Sequence, residues 1–106
     1  MNWSVDISEI AEQDIESIYQ HIATSLMEPR IAWKQVERIR ARIDNLDTMP
    51  ERNRVIQFEP WKSRNARRLN VDNYAAFYVL ENESSTVTVF RVLYAKCDLT
   101  DTSLID

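Results

Sequence analysis

Apolar and polar residues in the first half of the chain follow the repeat of two amphipathic helices. After Ser8, a residue type favoured at helix N-caps, apolar residues recur at intervals of three and four. A second stripe with this spacing follows Pro29, which the first turn of a helix tolerates. The stripes are Ala11, Ile15, Ile18, Ile22 and Leu26, then Ala32, Val36, Ile39, Ile43 and Leu46. The short link between them predicts an antiparallel helical hairpin that ends at Met49-Pro50.

Outside this hairpin the repeat shortens to two residues, the period of a strand with one buried face. Asp72 and Asn73 supply turn chemistry between two such segments, and Asn82 is predicted to take the left-handed conformation in the next turn. The predicted strands are residues 3–7, 68–71, 74–80 and 86–94, with residues 55–58 as a short edge strand before Pro60.

These elements, taken in order, predict a fold of the α+β class. The order is β-α-α-β-β-β, and an antiparallel sheet with the N-terminal helical hairpin on one face would bury the apolar side of both layers. The chain has 106 residues, of which 44% are hydrophobic. That is enough for one core, so residues 1–106 are expected to form a single domain.

Composition excludes several kinds of chemistry. The sequence contains no glycine, whereas the phosphate-binding loops of nucleotide-binding folds require it. Cys97 and His21 are the only residues of their types and do not make a zinc site, so neither a metal nor a cofactor is predicted. No apolar run approaches the ~20 residues that span a bilayer, and the first residues lack the pattern of an export signal. A cytoplasmic protein without membrane contact is therefore expected.

Charge is distributed unevenly along the chain, although the net charge is only −4. Residues 1–29 contain six acidic and no basic residues, and residues 69–106 have a net charge of −4. Residues 30–68 contain eleven basic residues against five acidic ones, a net charge of +6. We expect folding to gather basic residues of this middle third on a shared surface that attracts an acidic partner or nucleic acid.

The densest basic run lies at residues 52–68, with six basic residues and one acid, Glu59. Arginines can clamp phosphates, and the interleaved Phe58 and Trp61 could stack on bases. The alternative is a solvated, arginine-rich loop. Because strand neighbours point to opposite faces, at most one of Arg67 and Arg68 faces the open side of the sheet. The candidate nucleic-acid or target-binding residues are Arg52, Arg54, Trp61, Lys62, Arg64, Arg67 and Arg68.

Three further basic residues follow helical spacing on the second helix. Lys34, Arg38 and Arg42 lie at i, i+4 and i+8, opposite the apolar stripe. They form either a solvated face or a docking stripe for an acidic partner. Arg91 interrupts an otherwise apolar set in the last predicted strand, so it must either pair with an acid or emerge at a concave site.

Several segments, in their order and spacing, resemble the RelE/ParE superfamily of toxins from type II toxin–antitoxin, or plasmid stabilisation, systems. They are AEQDIESIYQHI at 11–22, residues 46–50, RRLNVDNYAAFYV at 67–79 and VTVFRVLY at 87–94. The resemblance covers most of the chain, and the family's β-α-α order followed by antiparallel strands agrees with the order predicted above. It implies a growth-inhibiting toxin that a cognate antitoxin neutralises in a hetero-oligomer, with Lys34, Arg38 and Arg42 as the candidate antitoxin-binding residues.

The resemblance implies two alternative mechanisms and leaves a third reading open. ParE-like members poison DNA gyrase by binding it. RelE-like members cleave mRNA on the ribosome, with basic residues that hold the scissile phosphate and another residue that moves a proton. The third reading is an inert or repurposed relative that keeps the fold. For cleavage, the residues that the resemblance assigns are Glu59, Arg68 and Tyr94, with Arg91 and Lys96 as substitute cations.

The ribonuclease pattern is incomplete in this sequence. Ala75 stands where the resemblance implies an arginine after the aromatic residue of the central strand, and Leu93 replaces a histidine that some members carry before the last tyrosine. Loss of a phosphate-clamping arginine removes transition-state stabilisation on the order of that from one oxyanion donor. The sequence therefore favours the ParE-like mechanism, with DNA gyrase as the target, over the ribosome.

Overall fold

The computed structural model describes residues 2–96, which form a four-stranded sheet with a helical hairpin on one face. The main elements are β1 (Ser4–Ile7), α1 (Glu9–Gln20), α2 (Pro29–Asp44), β2 (Arg67–Val71), β3 (Tyr74–Glu81) and β4 (Thr86–Tyr94). A π-helical turn, His21–Ser25, continues α1, and the 3₁₀ turns Asn45–Asp47 and Pro50–Arg52 follow α2. The predicted order β-α-α-β-β-β is confirmed.

The strands lie in the order β1-β4-β3-β2. β2, β3 and β4 are antiparallel neighbours, as predicted, but β1 pairs with β4 in parallel, so the sheet is mixed. β1 and β4 are distant in sequence, and no hairpin turn forces them into opposite directions. The short edge strand predicted at residues 55–58 is absent: Val55 makes a single bridge to Arg67, and the chain then turns from Phe58.

The helical hairpin packs its predicted apolar stripes against one face of the sheet. Ser8 is the N-cap, because its hydroxyl accepts a hydrogen bond from the Ala11 amide at 3.1 Å. The α2 stripe is largely buried, and the α1 stripe is buried through Ile22, but Leu26 is exposed. The π-helical turn adds a residue to the helical repeat and carries Leu26 out of phase. No helix among residues 2–96 combines the length and hydrophobicity that a membrane span requires.

A loop covers the opposite face of the sheet, and we call residues 53–66 the covering loop. Its apolar residues join Ala75 and Phe77 of β3 in a second core. Trp61 is only 2% exposed and stacks on Phe90 of β4, with ring centroids 5.3 Å apart. Trp33 on α2, by contrast, is 59% exposed.

Two polar side chains fasten the start of the covering loop to the sheet. The buried hydroxyl of Tyr78 donates a hydrogen bond to the Pro50 carbonyl at 2.6 Å and accepts one from the Asn53 side-chain amide at 2.9 Å. Arg67 Nη1 donates to the carbonyls of Glu51 at 2.8 Å and Asn53 at 2.5 Å. Burial raises the pKa of the Tyr78 hydroxyl above its ordinary value. Tyr78 is not among the residues predicted from the sequence, although a tyrosine in a buried strand ordinarily needs a polar partner.

Asp14 of α1 fixes the helical hairpin to β4. Its carboxylate accepts hydrogen bonds from Arg91 Nε at 2.8 Å, from Arg91 Nη2 at 3.0 Å and from the Val92 amide at 2.9 Å. β1 pairs with β4 only as far as Val89, so Asp14 serves an amide that the parallel strand does not reach. Of the two predictions for Arg91, pairing with an acid is confirmed.

Asp14→Asn should lower the free energy of unfolding by about 2 kcal/mol, because the Asp14 and Arg91 side chains are only 14% and 20% exposed. Urea denaturation measures this change. The matched control is Glu12→Gln, which removes the charge from the exposed pair with Arg40 and should cost less than about 1 kcal/mol. Equal losses in the two variants would show that Asp14 has no special structural role.

Tyr78→Phe should lower the free energy of unfolding by about 1–2 kcal/mol, since it leaves the Pro50 carbonyl and the Asn53 amide without their partner. Because burial raises the pKa of Tyr78, its contribution to the free energy of unfolding also depends on pH. The unfolded chain gives up the Tyr78 proton more readily than the folded one, so the Tyr78 contribution is lost as pH rises above about 10. Denaturation across that range should show a shallower decline for Tyr78→Phe than for the unmutated chain. The exposed Tyr94→Phe should leave the free energy of unfolding at neutral pH nearly unchanged.

Candidate functional site

A groove of about 670 Å³ lies between the covering loop and the outer face of β2 and β3. Three arginines line it, together with apolar side chains and without a carboxylate from residues 2–96. These residues are Arg52, Arg54 and Arg68 on the basic side, and Val55, Ile56, Phe58 and Phe77 on the apolar side. We call this feature the basic groove.

Arg68 occupies the outer face of β2 within the basic groove. Its guanidinium lies 5.5 Å from the centre of the Phe77 ring. Nε donates a hydrogen bond to Asn70 Oδ1 and Nη2 donates one to the Ala95 carbonyl, each at 2.8 Å. Both acceptors are neutral, so these contacts hold the side chain in place without compensating its charge.

Arg67 and Arg68 point to opposite faces of β2, as the strand period predicts. Arg67 is absent from the lining of the basic groove and holds carbonyls at the start of the covering loop. Its Nε is buried and has no hydrogen-bond partner among the described residues. Arg67 therefore contributes to the predicted binding surface only by positioning the loop.

The ion pairs found within residues 2–96 lie outside the basic groove. They are Arg38–Asp72 at 2.7 Å, Arg40–Glu12 at 2.7 Å and Arg91–Asp14 at 2.8 Å. The basic middle third is therefore divided: some cations are paired with acids, while those of the groove have no carboxylate partner in this part of the chain. The shared basic surface expected from the sequence is smaller than the full run at 52–68.

Trp61 does not offer a stacking surface, so that part of the sequence-based prediction is wrong. Phe90 covers one side of its ring system, and the Arg64 guanidinium lies 5.5 Å from the ring centre. Burial of this large apolar ring stabilises the packing of the covering loop against the sheet. Lys62 and Arg64 are exposed on that loop but do not line the basic groove.

Lys34, Arg38 and Arg42 lie on the outer side of α2, and all three are exposed. Arg38 pairs with Asp72 in the β2–β3 turn. Arg42 lines a small cavity of about 180 Å³ together with Arg52, which also lines the basic groove. Positive charge is therefore continuous from α2 to the groove through Arg52.

Glu59 lies on the covering loop, where it is exposed and outside the lining of the basic groove. Its carboxylate accepts a hydrogen bond from the Ser63 amide at 3.0 Å. Hydrogen bonds from the side chain and backbone of Ser63 lower the pKa of Glu59 below its ordinary value. The carboxylate is accordingly ionised at neutral pH and is a weaker base than an ordinary glutamate.

Tyr94 lies at the end of β4 and lines a different cavity, of about 640 Å³, next to the π-helical turn. Its ring meets that of Tyr74 edge to face at a centroid distance of 5.9 Å. Lys96 is exposed in the turn that follows β4. The residues that the resemblance assigns to cleavage therefore line different cavities or none, and Arg91 among them is bound to Asp14.

Comparisons with known proteins agree with this architecture. Solved structures with the same fold include a chain of the chromosomal ParDE toxin–antitoxin system from P. aeruginosa, with 20% identity, a TM-score of 0.73, and coverage of 89% of this chain and 97% of that one. A chain of the RelBE2 toxin–antitoxin complex from Mycobacterium tuberculosis has 20% identity, a TM-score of 0.62, and coverage of 91% and 95%. The isolated RelE toxin from E. coli has 12% identity, a TM-score of 0.55, and coverage of 97% and 95%.

The sequence comparison is more specific than these structural similarities, which at such identities show the fold alone. No curated protein sequence gives a significant match. The family described as the ParE toxin of the type II toxin–antitoxin system parDE matches residues 5–99. That match spans nearly the whole sequence and confirms the resemblance to the RelE/ParE superfamily. The chain belongs to the ParE toxin family of type II toxin–antitoxin systems.

Proposed function

We propose that this protein is a ParE-like toxin that acts in the cytoplasm by binding DNA gyrase and is neutralised by a cognate antitoxin in a hetero-oligomer. The observation that carries the proposal is the separation of the groups that mRNA cleavage would need. Membership of the ParE family supports the same target. The toxin–antitoxin complexes among the structural neighbours support the antitoxin as partner.

Cleavage of one phosphodiester requires a cation and a proton-transfer group at the same phosphate. Here Arg68 lines the basic groove, whereas Tyr94 lines the cavity beside the π-helical turn. Arg91 makes two hydrogen bonds to Asp14, which compensates its charge. Ala75 stands in the second core at the position where the resemblance implies an arginine, so this position supplies no cation in place of Arg91. These arrangements favour a toxin that binds over one that cleaves.

Glu59 is also poorly suited to act as a general base. A base works best when its pKa lies near the working pH, because it is then both deprotonated and strong enough to take a proton. Ser63 shifts the pKa of Glu59 in the opposite direction, below that of an ordinary carboxylate. Its hydrogen bonds to Ser63 are those of a local loop contact.

The basic groove has the composition of a protein-binding site. Arginine and aromatic residues are enriched at protein interfaces, and they often supply much of the binding energy. Arg54 is exposed, and Phe58 is 40% exposed at the rim. Charge at this site also favours an acidic surface over a basic one, because complementary charge speeds encounter and fixes orientation. We assign the groove to target recognition.

Purified toxin, free of antitoxin, should inhibit DNA supercoiling by gyrase in vitro while a cell-free translation extract stays active. The two assays use the same preparation, so an inactive sample fails in both. Unchanged supercoiling together with arrest of translation, and with cuts in mRNA at the ribosomal A site, would favour the RelE-like mechanism instead. A toxin without effect in either assay, and without effect on growth when it is expressed alone, would indicate an inert relative.

Arg54→Ser should weaken gyrase inhibition by about tenfold, the effect of losing one charged contact worth about 1.4 kcal/mol. Arg54 is exposed at the groove, so its replacement should not disturb folding. Arg30→Ser is the matched control, because Arg30 is an exposed arginine at the start of α2, away from the groove lining. The measurement is the toxin concentration that halves supercoiling. Equal losses in both variants would mean that general positive charge, not the groove, binds gyrase.

Association with the antitoxin should weaken as sodium chloride is added, because we expect acidic residues of the partner to cover the α2 stripe or the 52–68 run. Lys34→Ser and Arg42→Ser should each reduce the slope of log Kd against log salt if the partner lies on the stripe. Arg64→Ser should do so if it lies on the run, with Arg30→Ser again as control. Calorimetry at several salt concentrations measures these slopes. Affinity that does not change with salt would contradict the electrostatic account.

A further inference from the structure

A small cavity at the C-terminal end of α2 collects two arginines and two asparagines around an apolar base. It has a volume of about 180 Å³ and shares a wall with the basic groove. No carboxylate from residues 2–96 lines it. Leu46 and Leu69, which belong to the helical core, form its base, and the polar lining residues are Arg42, Asn45, Arg52 and Asn53. We call this feature the arginine cavity.

The two arginines meet because the chain reverses direction after α2. Arg42 lies in the last turn of that helix. The 3₁₀ turn Asn45–Asp47 follows, then Met49 takes a left-handed conformation with φ of 51°, and the 3₁₀ turn Pro50–Arg52 begins directly after it. The reversal brings Arg52 to the cavity that Arg42 lines, so two positive charges from different elements face the same small space.

The wall that the cavity shares with the basic groove is held by hydrogen bonds within the protein. Arg52 Nη2 donates to the Thr48 carbonyl at 3.3 Å. The side-chain amide of Asn53 donates to the Tyr78 hydroxyl at 2.9 Å, and its backbone carbonyl accepts a hydrogen bond from Arg67 Nη1 at 2.5 Å. Because these groups are already placed, a ligand that binds between them has little ordering to oppose it.

The charges of the arginine cavity are not compensated within residues 2–96. The ion pairs found in this part of the chain involve neither Arg42 nor Arg52. Three acids that are close in sequence, Asp44, Asp47 and Glu51, lie outside the lining. The C-terminal end of a helix carries about half a negative charge, which is less than the charge of one arginine. The cavity therefore keeps a net positive charge.

A phosphate group matches the number and the arrangement of these donors. Its oxygen atoms can accept hydrogen bonds from two guanidinium groups and from side-chain amides, whereas the two oxygens of a carboxylate are occupied by one bidentate arginine. A phosphate monoester carries a charge of about −1.5 to −2 at neutral pH, close to that needed to balance two arginines. The cavity volume equals that of about six water molecules, which is enough for a phosphate group but not for a nucleoside attached to it.

We propose that the arginine cavity binds a phosphate group between Arg42 and Arg52, with the side-chain amides of Asn45 and Asn53 as further donors. Only the phosphate itself enters, so the ligand is free phosphate or the end of a phosphate monoester. Arg52 also lines the basic groove, so a bound phosphate lowers the positive charge at that end of the groove. The site does not depend on the identity of the toxin's target.

Titration of the ¹⁵N-labelled full-length chain with sodium phosphate tests the proposal by NMR. The pH is neutral, and sodium chloride keeps the ionic strength constant. The side-chain Nε–H signals of Arg42 and Arg52 and the backbone amide of Asn53 should shift together and saturate with a common Kd. The Nε–H signal of Arg30, an exposed arginine at the start of α2, should not move.

Two variants and a second ligand make the test specific. Arg42→Gln should raise the Kd for phosphate by about tenfold, as expected for the loss of one charged contact. Arg42 is exposed, so this change should leave the fold intact, and Arg30→Gln is the matched control that should leave the Kd unchanged. Methyl phosphate distinguishes the two sources: saturation by both ligands shows that monoesters are accepted, and saturation by inorganic phosphate alone shows a site for the free ion.

Three results would overturn the proposal. Shifts that grow without saturation would show that phosphate has no defined site. Equal increases in Kd for Arg42→Gln and Arg30→Gln would show an effect of overall charge. Sodium acetate that saturates the same signals with the same Kd would show a site for carboxylates instead. Since every readout is direct binding of a small ion, failure of gyrase inhibition would leave these results unaffected.

Discussion

A sheet that is apolar on both faces needs two covers, and the helices within residues 2–96 cover only one. β3 shows the problem most directly, since Tyr78 faces the helical core while Phe77 belongs to the opposite one. The second cover is a loop with little regular structure, which must bury apolar side chains without the backbone hydrogen bonds of a helix or strand. It does so by stacking Trp61 on Phe90 and by anchoring its start to Tyr78. The basic groove lies where this cover is incomplete.

Because the covering loop leaves part of this sheet face open, the positive charges of the basic groove also remain accessible to a ligand. On the helical side, Arg91 lies within reach of α1, and Asp14 binds it. On the loop side, no carboxylate from residues 2–96 pairs with Arg54 or Arg68. Cations left in a partly apolar concave site attract acidic groups strongly, because their surroundings screen them less than bulk water does. Acidic surfaces of the proposed target and of the proposed antitoxin would therefore be attracted to the same place.

The helical half of the fold could be predicted well because its determinants are local. Ser8 as N-cap and the stripe ending at Leu46 follow from propensity and period alone. Local rules fail where long-range contacts decide. The direction of β1 depends on its pairing with β4, and the left-handed turn residue is Ser85 rather than the predicted Asn82. At the candidate site, the alternation of strand residues correctly predicted that Arg67 and Arg68 point to opposite faces. The pairing of Arg91 with Asp14 could not be predicted in this way, because the two residues are 77 positions apart in the sequence.

The absence of glycine shapes the groove by limiting the freedom of its walls. Two residues with positive φ, where glycine would ordinarily stand, restrict this region: Met49 at 51° lies shortly before the covering loop, and Asn65 at 54° lies near its end. A non-glycine residue there costs roughly 1–2 kcal/mol in the folded state but narrows the range of conformations open to the loop. Packing of Trp61 and the bonds of Tyr78 offset that cost. Because the walls are fixed before a ligand arrives, little ordering remains to oppose binding, and charge complementarity decides which acidic ligand the groove holds.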